Sequence, residues 1–372
     1  MRKIFISAMV ATVAINLVAC GTSNSSGVTT AETTATVETT TEATTTVAET
    51  TVADTKADEN VSEAVEAVDG GLQIGMAYSS AHGTKCFTQT VAVVEGDTVV
   101  AAYVDDYQFM DPSSATAVPN SDADFGADYA DGTKQVLASK RVNNEFYSNS
   151  MKEKANATTK IADSFNAIQD FAVGKTVAEI REAAGKDNAV DAVSGATLAD
   201  TAGYLNAIAD AAEAAKKNAA VSFDGDVKDL KLNVLVGAAH GTKCFTTAAA
   251  LVNGEQIILS YLDEFQMMPA DQASVTGVPN SDADFGKGFV EGKVLASKRV
   301  NAEYYSGNMK EKANATVRID DNFDAIQNAV NGHSVADAEA LSGKDNAVDA
   351  VSGATLADTA NYIKLIVQAA KA

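Results

Sequence analysis

The 372-residue chain is short of cations and of thiols, and each shortage excludes a class of function. It has 28 Lys and Arg against 50 Asp and Glu, a formal charge of −22. A nucleic-acid binder needs a basic footprint against the phosphate backbone, so that class is excluded. Three cysteines supply neither a disulfide framework nor a four-thiolate zinc or iron–sulfur site. A Cys-x-x-Cys-His segment for c-type haem is also missing, so any redox role needs an organic cofactor. There is no Gly-x-Gly-x-x-Gly dinucleotide fingerprint and no triad of nucleophile, base and orienter. What the chain does have is a hydrophobic fraction of 46%, sufficient for real cores, and a length that fits two ordinary domains plus a tail.

The first residues read as an export signal. Arg2 and Lys3 precede an apolar run from Ile4 to Leu17, interrupted by Ser7, Thr12 and Asn16 and too short for a stable membrane span. The run ends Leu17-Val18-Ala19-Cys20, which resembles a bacterial lipobox; the resemblance implies cleavage after residue 19 and lipidation of Cys20. From Gly21 to Thr55, 15 of 35 residues are Thr, and no hydrophobic period of a strand or helix survives. Residues 20–70 therefore read as a disordered acidic tether, which would average roughly 40 Å end to end before charge repulsion extends it. The expected location is the outer face of a Gram-positive cell membrane, held by the lipid anchor alone.

Beyond the tether the chain is written twice. Ala81–Thr88 (AHGTKCFT) recurs as Ala239–Thr246, Val118–Gly126 (VPNSDADFG) as Val278–Gly286, and Val136–Asn143 (VLASKRVN) as Val294–Asn301. Met151–Thr158 recurs as Met309–Thr316, and Gly185–Ala202 (GKDNAVDAVSGATLADTA) is identical to Gly343–Ala360. So long a period means a duplicated domain rather than a solenoid repeat. The expected domains are 71–218 and 230–372, joined near Lys217–Asp229, each long enough to bury its own core. Alternation predicts strands over Leu72–Ser80, Cys86–Val94 and Thr98–Tyr107, and helical spacing covers Asn144–Ala155, Ile161–Phe171 and Val177–Ala184. Ser121–Gly132 reads as irregular or short helix, and a last helix is expected from near Leu198. The predicted class is α+β, with an antiparallel sheet and packed helices in each copy.

The most specific signal is Asp191-Ala192-Val193-Ser194-Gly195-Ala196-Thr197, with its twin Asp349-Ala350-Val351-Ser352-Gly353-Ala354-Thr355. It is a short polar turn feeding a helix, where unpaired backbone N–H groups and the helix dipole favour an anion. Gly195 would let a bulky anion approach the backbone. On this reading Thr197 sits at the N-cap, either facing a phosphate or simply capping the helix.

Asp-x-x-Ser-Gly-Ala-Thr resembles the motif of the FMN-binding domain found in subunits C and G of the sodium-pumping NADH:quinone reductase and Rnf complexes. In that family the last Thr carries FMN as a phosphoester, attached by a flavin transferase that uses FAD. The resemblance implies two covalent FMN groups, on Thr197 and Thr355, with Asp191, Ser194, Gly195 and Ala196, and Asp349, Ser352, Gly353 and Ala354, around them. Lipobox, Thr-rich tether and paired domains together are similar to flavinylated extracellular electron-transfer lipoproteins. This implies electrons received from a membrane quinol-oxidising system and passed to extracellular ferric species or soluble flavins, by a carrier rather than a stand-alone enzyme. A cofactor-free surface binding or adhesion lipoprotein is the competing reading.

Other residues carry weaker signals. His82 and His240 occupy matching positions and could bond the flavin's pyrimidine edge, relay a proton, or serve as turn histidines bonded to backbone. Cys86 and Cys244 read as small buried residues. Lys140-Arg141 and Lys298-Arg299 fit either a phosphate or ordinary surface ion pairs. Tyr107, Phe109, Phe146, Tyr147, Phe265, Tyr304 and Tyr305 are candidates to flank a flavin ring, though most are expected in the core. Met110, Met267 and Met268 read as packing.

Overall fold

A computed structural model describes residues 71–372. The expected signal peptide, Cys20 and the tether lie outside the described residues.

The first copy runs β1 (Leu72–Ser79), β2 (Cys86–Glu95), β3 (Thr98–Met110), β4 (Val136–Ser139), α1 (Asn144–Ala155), α2 (Ile161–Ala172), α3 (Val177–Ala184) and α4 (Thr201–Ala215). The second repeats it as β5 (Lys231–Gly237), β6 (Cys244–Asn253), β7 (Gln256–Pro269), β8 (Lys293–Ser297), α5 (Ala302–Ala313), α6 (Ile319–Asn328), α7 (Val335–Ser342) and α8 (Thr359–Ala370). Each copy is a four-stranded antiparallel meander in sequential order with four helices, so the class is α+β as the sequence predicts. The short strand β4 was not predicted. Its four residues pair with Tyr107–Met110, and a run that short carries too little alternation to read.

Alternation along the strands assigns two faces. In β2, Ala92 and Val94 join α2 and α4 in one core with Phe165, Ile168, Leu205 and Ile208. Phe87, Val91 and Val93 point the other way, and that face does not meet solvent. It meets the second copy. Phe87, Tyr107 and Phe125 share a cluster with Phe245, Phe265 and Phe285, and Leu72, Ile74 and Met76 share another with Ala249, Leu251 and Leu259. Phe87 and Phe265 lie 5.8 Å apart, Tyr107 and Phe245 6.2 Å. The layers thus run helix, sheet, sheet, helix. The expectation that each copy buries a core of its own holds only for the helix side of each sheet; the other side is shared.

The Asp-rich middle segments lock the halves together reciprocally. Asn120 donates its side-chain amide to the Gly241 and Cys244 carbonyls at 2.9 and 2.6 Å, and Asn280 does the same to Gly83 and Cys86. Phe125 N–H donates to Thr242 O and Phe285 N–H to Thr84 O, both at 2.9 Å. The connector also folds back, for Leu72 and Val221 exchange both backbone bonds at 2.8 and 2.9 Å.

Candidate functional site

The motif closes each copy between its third and fourth helices. Ala189–Ala192 forms a single 3-10 turn, Val193 anchors the loop in the core, and Ala196 N–H returns to Val193 O at 3.1 Å. Between them Gly195 takes φ +91°, and its twin Gly353 φ +87°. A side chain there would be strained and would stand 3.2 Å from Ala167 of α2. The loop therefore lies directly on α2 and turns sharply, leaving Asp191, Ser194 and Thr197 exposed, with Ala196 half-buried. The second copy presents Asp349, Ser352, Ala354 and Thr355 in the same way.

The expected helix start is corrected. The helix opens at Thr201, and the N-cap is Asp200. Leu198 belongs to a turn whose carbonyl accepts the Thr201 N–H at 3.1 Å and the Thr201 hydroxyl at 2.7 Å. In the second copy α8 opens at Thr359 behind Asp358. Thr197 and Thr355 thus cap nothing, and the N-cap Asp200 and Asp358 make no side-chain cap bond either, their carboxylates being turned to His82 and His240. The threonine hydroxyls instead lie against the second helix of each copy. Thr197 Oγ1 is 3.4 Å from Ser164 Oγ, and Thr355 donates its N–H and hydroxyl to Asn322 Oδ1 at 2.6 and 3.2 Å.

His82 and His240 find a partner that the sequence did not reveal. Each Nδ1 lies 2.7 Å from a carboxylate oxygen, of Asp200 and Asp358 respectively, 118 residues away. The contact to His82 is the main reason the Asp200 carboxyl falls below its ordinary range, against the opposing effect of partial burial. Cys86, just below, donates its thiol to the His82 carbonyl at 2.9 Å, and burial above all pushes that thiol up to about 12. It is a buried, unreactive residue, as is Cys244.

The paired cations are not phosphate ligands, nor surface ion pairs in the case of the lysines. Lys140 is 1% exposed and bonds Asp106 at 2.8 Å, with its ammonium 4.7 Å from the Tyr147 ring centre. Tyr204 of α4 and Thr88 of β2 donate to the same carboxylate at 2.6 Å each. Burial opposes the lysine charge, but Asp106 outweighs it and holds the ammonium above the ordinary range. Lys298, Glu264, Tyr362 and Thr246 repeat the cluster. Arg141 is spent on Val104 O, Asn166 and Gln169, with its guanidinium over Tyr103 and Phe165. Tyr107, Phe265 and Met267 are buried between the sheets, and Met110 and Met268 are buried as well, so neither of those rings is free to flank a cofactor.

What remains beside the motif is an open groove of about 480 Å³ along α2, lined by Asp163, Asn166, Ala167, Asp170, Phe171, Ala192 and Ser194. Its size falls in the range of small-molecule sites. Its two carboxylates would repel a free phosphate. Among the described residues, no group of three or more His, Cys, Asp and Glu could hold a metal, and no helix is long and apolar enough to cross a membrane. Comparison of the chain with protein-family models, curated proteins and solved structures finds no match in any of the three.

Proposed function

We propose that the protein is a lipid-anchored surface flavoprotein carrying two covalent FMN groups, one esterified through its phosphate to Thr197 and one to Thr355. It would take electrons from a membrane quinol-oxidising system and hand them to extracellular ferric species or soluble flavins. The observation that carries this reading is the exposed threonine hydroxyl in each copy. It follows a left-handed glycine and serves no capping role of its own, and in the first copy its loop is held beside a groove. A flavin transferase must reach the acceptor hydroxyl, and exposure permits that. A groove lined by Asp163 and Asp170 gives a flavin phosphate no electrostatic hold, so a covalent bond is what would keep the cofactor on an exported protein.

Bound there, FMN would supply reversible one- and two-electron chemistry. The chain's own part is to present the acceptor, orient the ring and set its surroundings. His82 and His240 belong to the turn that closes over each helix start, and their pairing with Asp200 and Asp358 makes them positioning residues there. The strong negative charge favours cationic acceptors over anionic ones.

Intact mass of the mature chain coexpressed with a flavin transferase tests the reading. Two added FMN residues are expected, with one lost in Thr197→Ala, one in Thr355→Ala and both in the double variant. A chain that stays colourless beside an active transferase would instead favour the cofactor-free binding lipoprotein.

A further inference from the structure

We propose that the two sites are not equivalent: the groove along α2 holds the isoalloxazine ring of the group carried by Thr197, with Phe171 as its stacking face, and the second copy has no such face. This rests on the flavin reading above and deepens it.

The two copies are identical through the motif, and the helix beneath it differs between them. Thr197 meets that helix at Ser164, and Phe171 lies seven residues further on, about 10 Å along the helix axis. A ribityl phosphate arm starting at the threonine has a comparable extended length, so a ring at its end falls at the Phe171 end of the groove. Phe171 is only half-buried and already lines that space. It is also pinned, because the Lys175 ammonium lies 4.1 Å from its ring centre and donates to its carbonyl at 2.6 Å. A fixed aromatic ring against a planar heteroaromatic one gives an offset stack at little entropic cost. Asp170 in the same groove offers an acceptor for the flavin's imide N–H.

Each of these groups differs in the second copy. Ala329 stands where Phe171 does, Asn328 replaces Asp170, and His333 replaces Lys175. Asn322 in place of Ser164 grips the Thr355 backbone and hydroxyl instead. The second copy thus fixes its acceptor residue but gives the ring no aromatic wall, whereas the first leaves its acceptor looser and walls the ring.

Single-flavin chains separate the sites. Full-length Thr355→Ala carries the flavin on Thr197, and Thr197→Ala carries it on Thr355; the attachment is counted by intact mass. Flavin fluorescence anisotropy and visible circular dichroism then report how firmly each ring is held. The Thr197 flavin is expected to show the higher anisotropy and the stronger visible dichroism. Adding Phe171→Ala should drop both signals to those of the Thr355 flavin, and Ala329→Phe in the Thr197→Ala chain should raise them. Equal signals from the two single-flavin chains, with mass showing both loaded, overturn the inference while leaving the flavin reading intact. So does a Phe171→Ala chain of unchanged far-ultraviolet dichroism that keeps its high anisotropy. A chain that takes no flavin at either threonine overturns both.

Discussion

Asp105 and Asp106 are neighbours in sequence, yet strand alternation sends their carboxylates to opposite faces of the first sheet, and both faces are covered. Asp106 has Lys140. Asp105, between the sheets, has hydrogen bonds from Ser139 and from the Arg141 and Asp106 amides, but no cation of its own in contact. Burial raises its carboxyl to about 6, with Ser139 and Arg141 offsetting part of the rise. In the unfolded chain it ionises near 4. Between about pH 4 and 6 the folded state therefore binds the proton more tightly, so stability falls as pH rises through that window and stays lower above it. Asp105→Asn is expected to gain about 2 kcal/mol at neutral pH and to flatten this slope in urea unfolding. Asp263, also raised by burial, leaves a residual slope. An unchanged slope would refute the assignment. The Asp106 pair behaves in the opposite sense: Lys140→Met strands a buried carboxylate and should cost about 3–5 kcal/mol. Adding Asp106→Leu should recover much of that loss, because both charges are then gone.

At the scale of elements, the first three strands and the first three helices of each copy are legible, since hydrophobic period reports local burial. Ile161, Phe165, Ile168 and Ala172 form the buried stripe of α2 that the spacing predicts. The start of α4 was not legible. Leu198, Ala202 and Leu205 continue a helical period, but Asp200 is drawn to His82 and Thr201 closes a turn onto Leu198. A tertiary contact across 118 residues decided that boundary, and no local propensity could announce it. The same holds for the approach of β1 to α4. Gly75 permits backbone contact there, as a Cβ would come within 2.3 Å of the Ala215 nitrogen. Gly75→Val should cost about 3 kcal/mol or more, because neither main chain can yield without moving its whole element; thermal unfolding measures it.

For the whole molecule, the consequence of the shared core is cooperativity. Phe87, Tyr107, Phe245 and Phe265 are each fully buried in one cluster to which both copies contribute. Residues 71–372 should unfold in urea as one transition, with Phe245→Ala and Phe87→Ala each lowering the midpoint for both halves at once. Residues 71–218 expressed alone would expose an aromatic sheet face and are expected to self-associate on size exclusion. A well-behaved monomer of that fragment would show that the halves are independent. The reciprocal clamps from Asn120 and Asn280 fall on the turns that carry His240 and His82, so each copy steadies the other's site. Asn280→Ala should therefore loosen the first copy's histidine turn, which amide hydrogen exchange at Gly83 and Thr84 can follow.

The sequence by itself determined the duplication, the succession of strands and helices, the acidic character, and the position of the repeated motif, because identity and periodicity are properties of the chain alone. Tertiary structure decided which sheet faces meet, that the paired lysines are buried, that His82 and His240 each answer to an aspartate, and that α2 supplies the wall of the groove. Those outcomes depend on residues tens to hundreds of positions apart, and a strand's alternation states only that a face is covered, never by what.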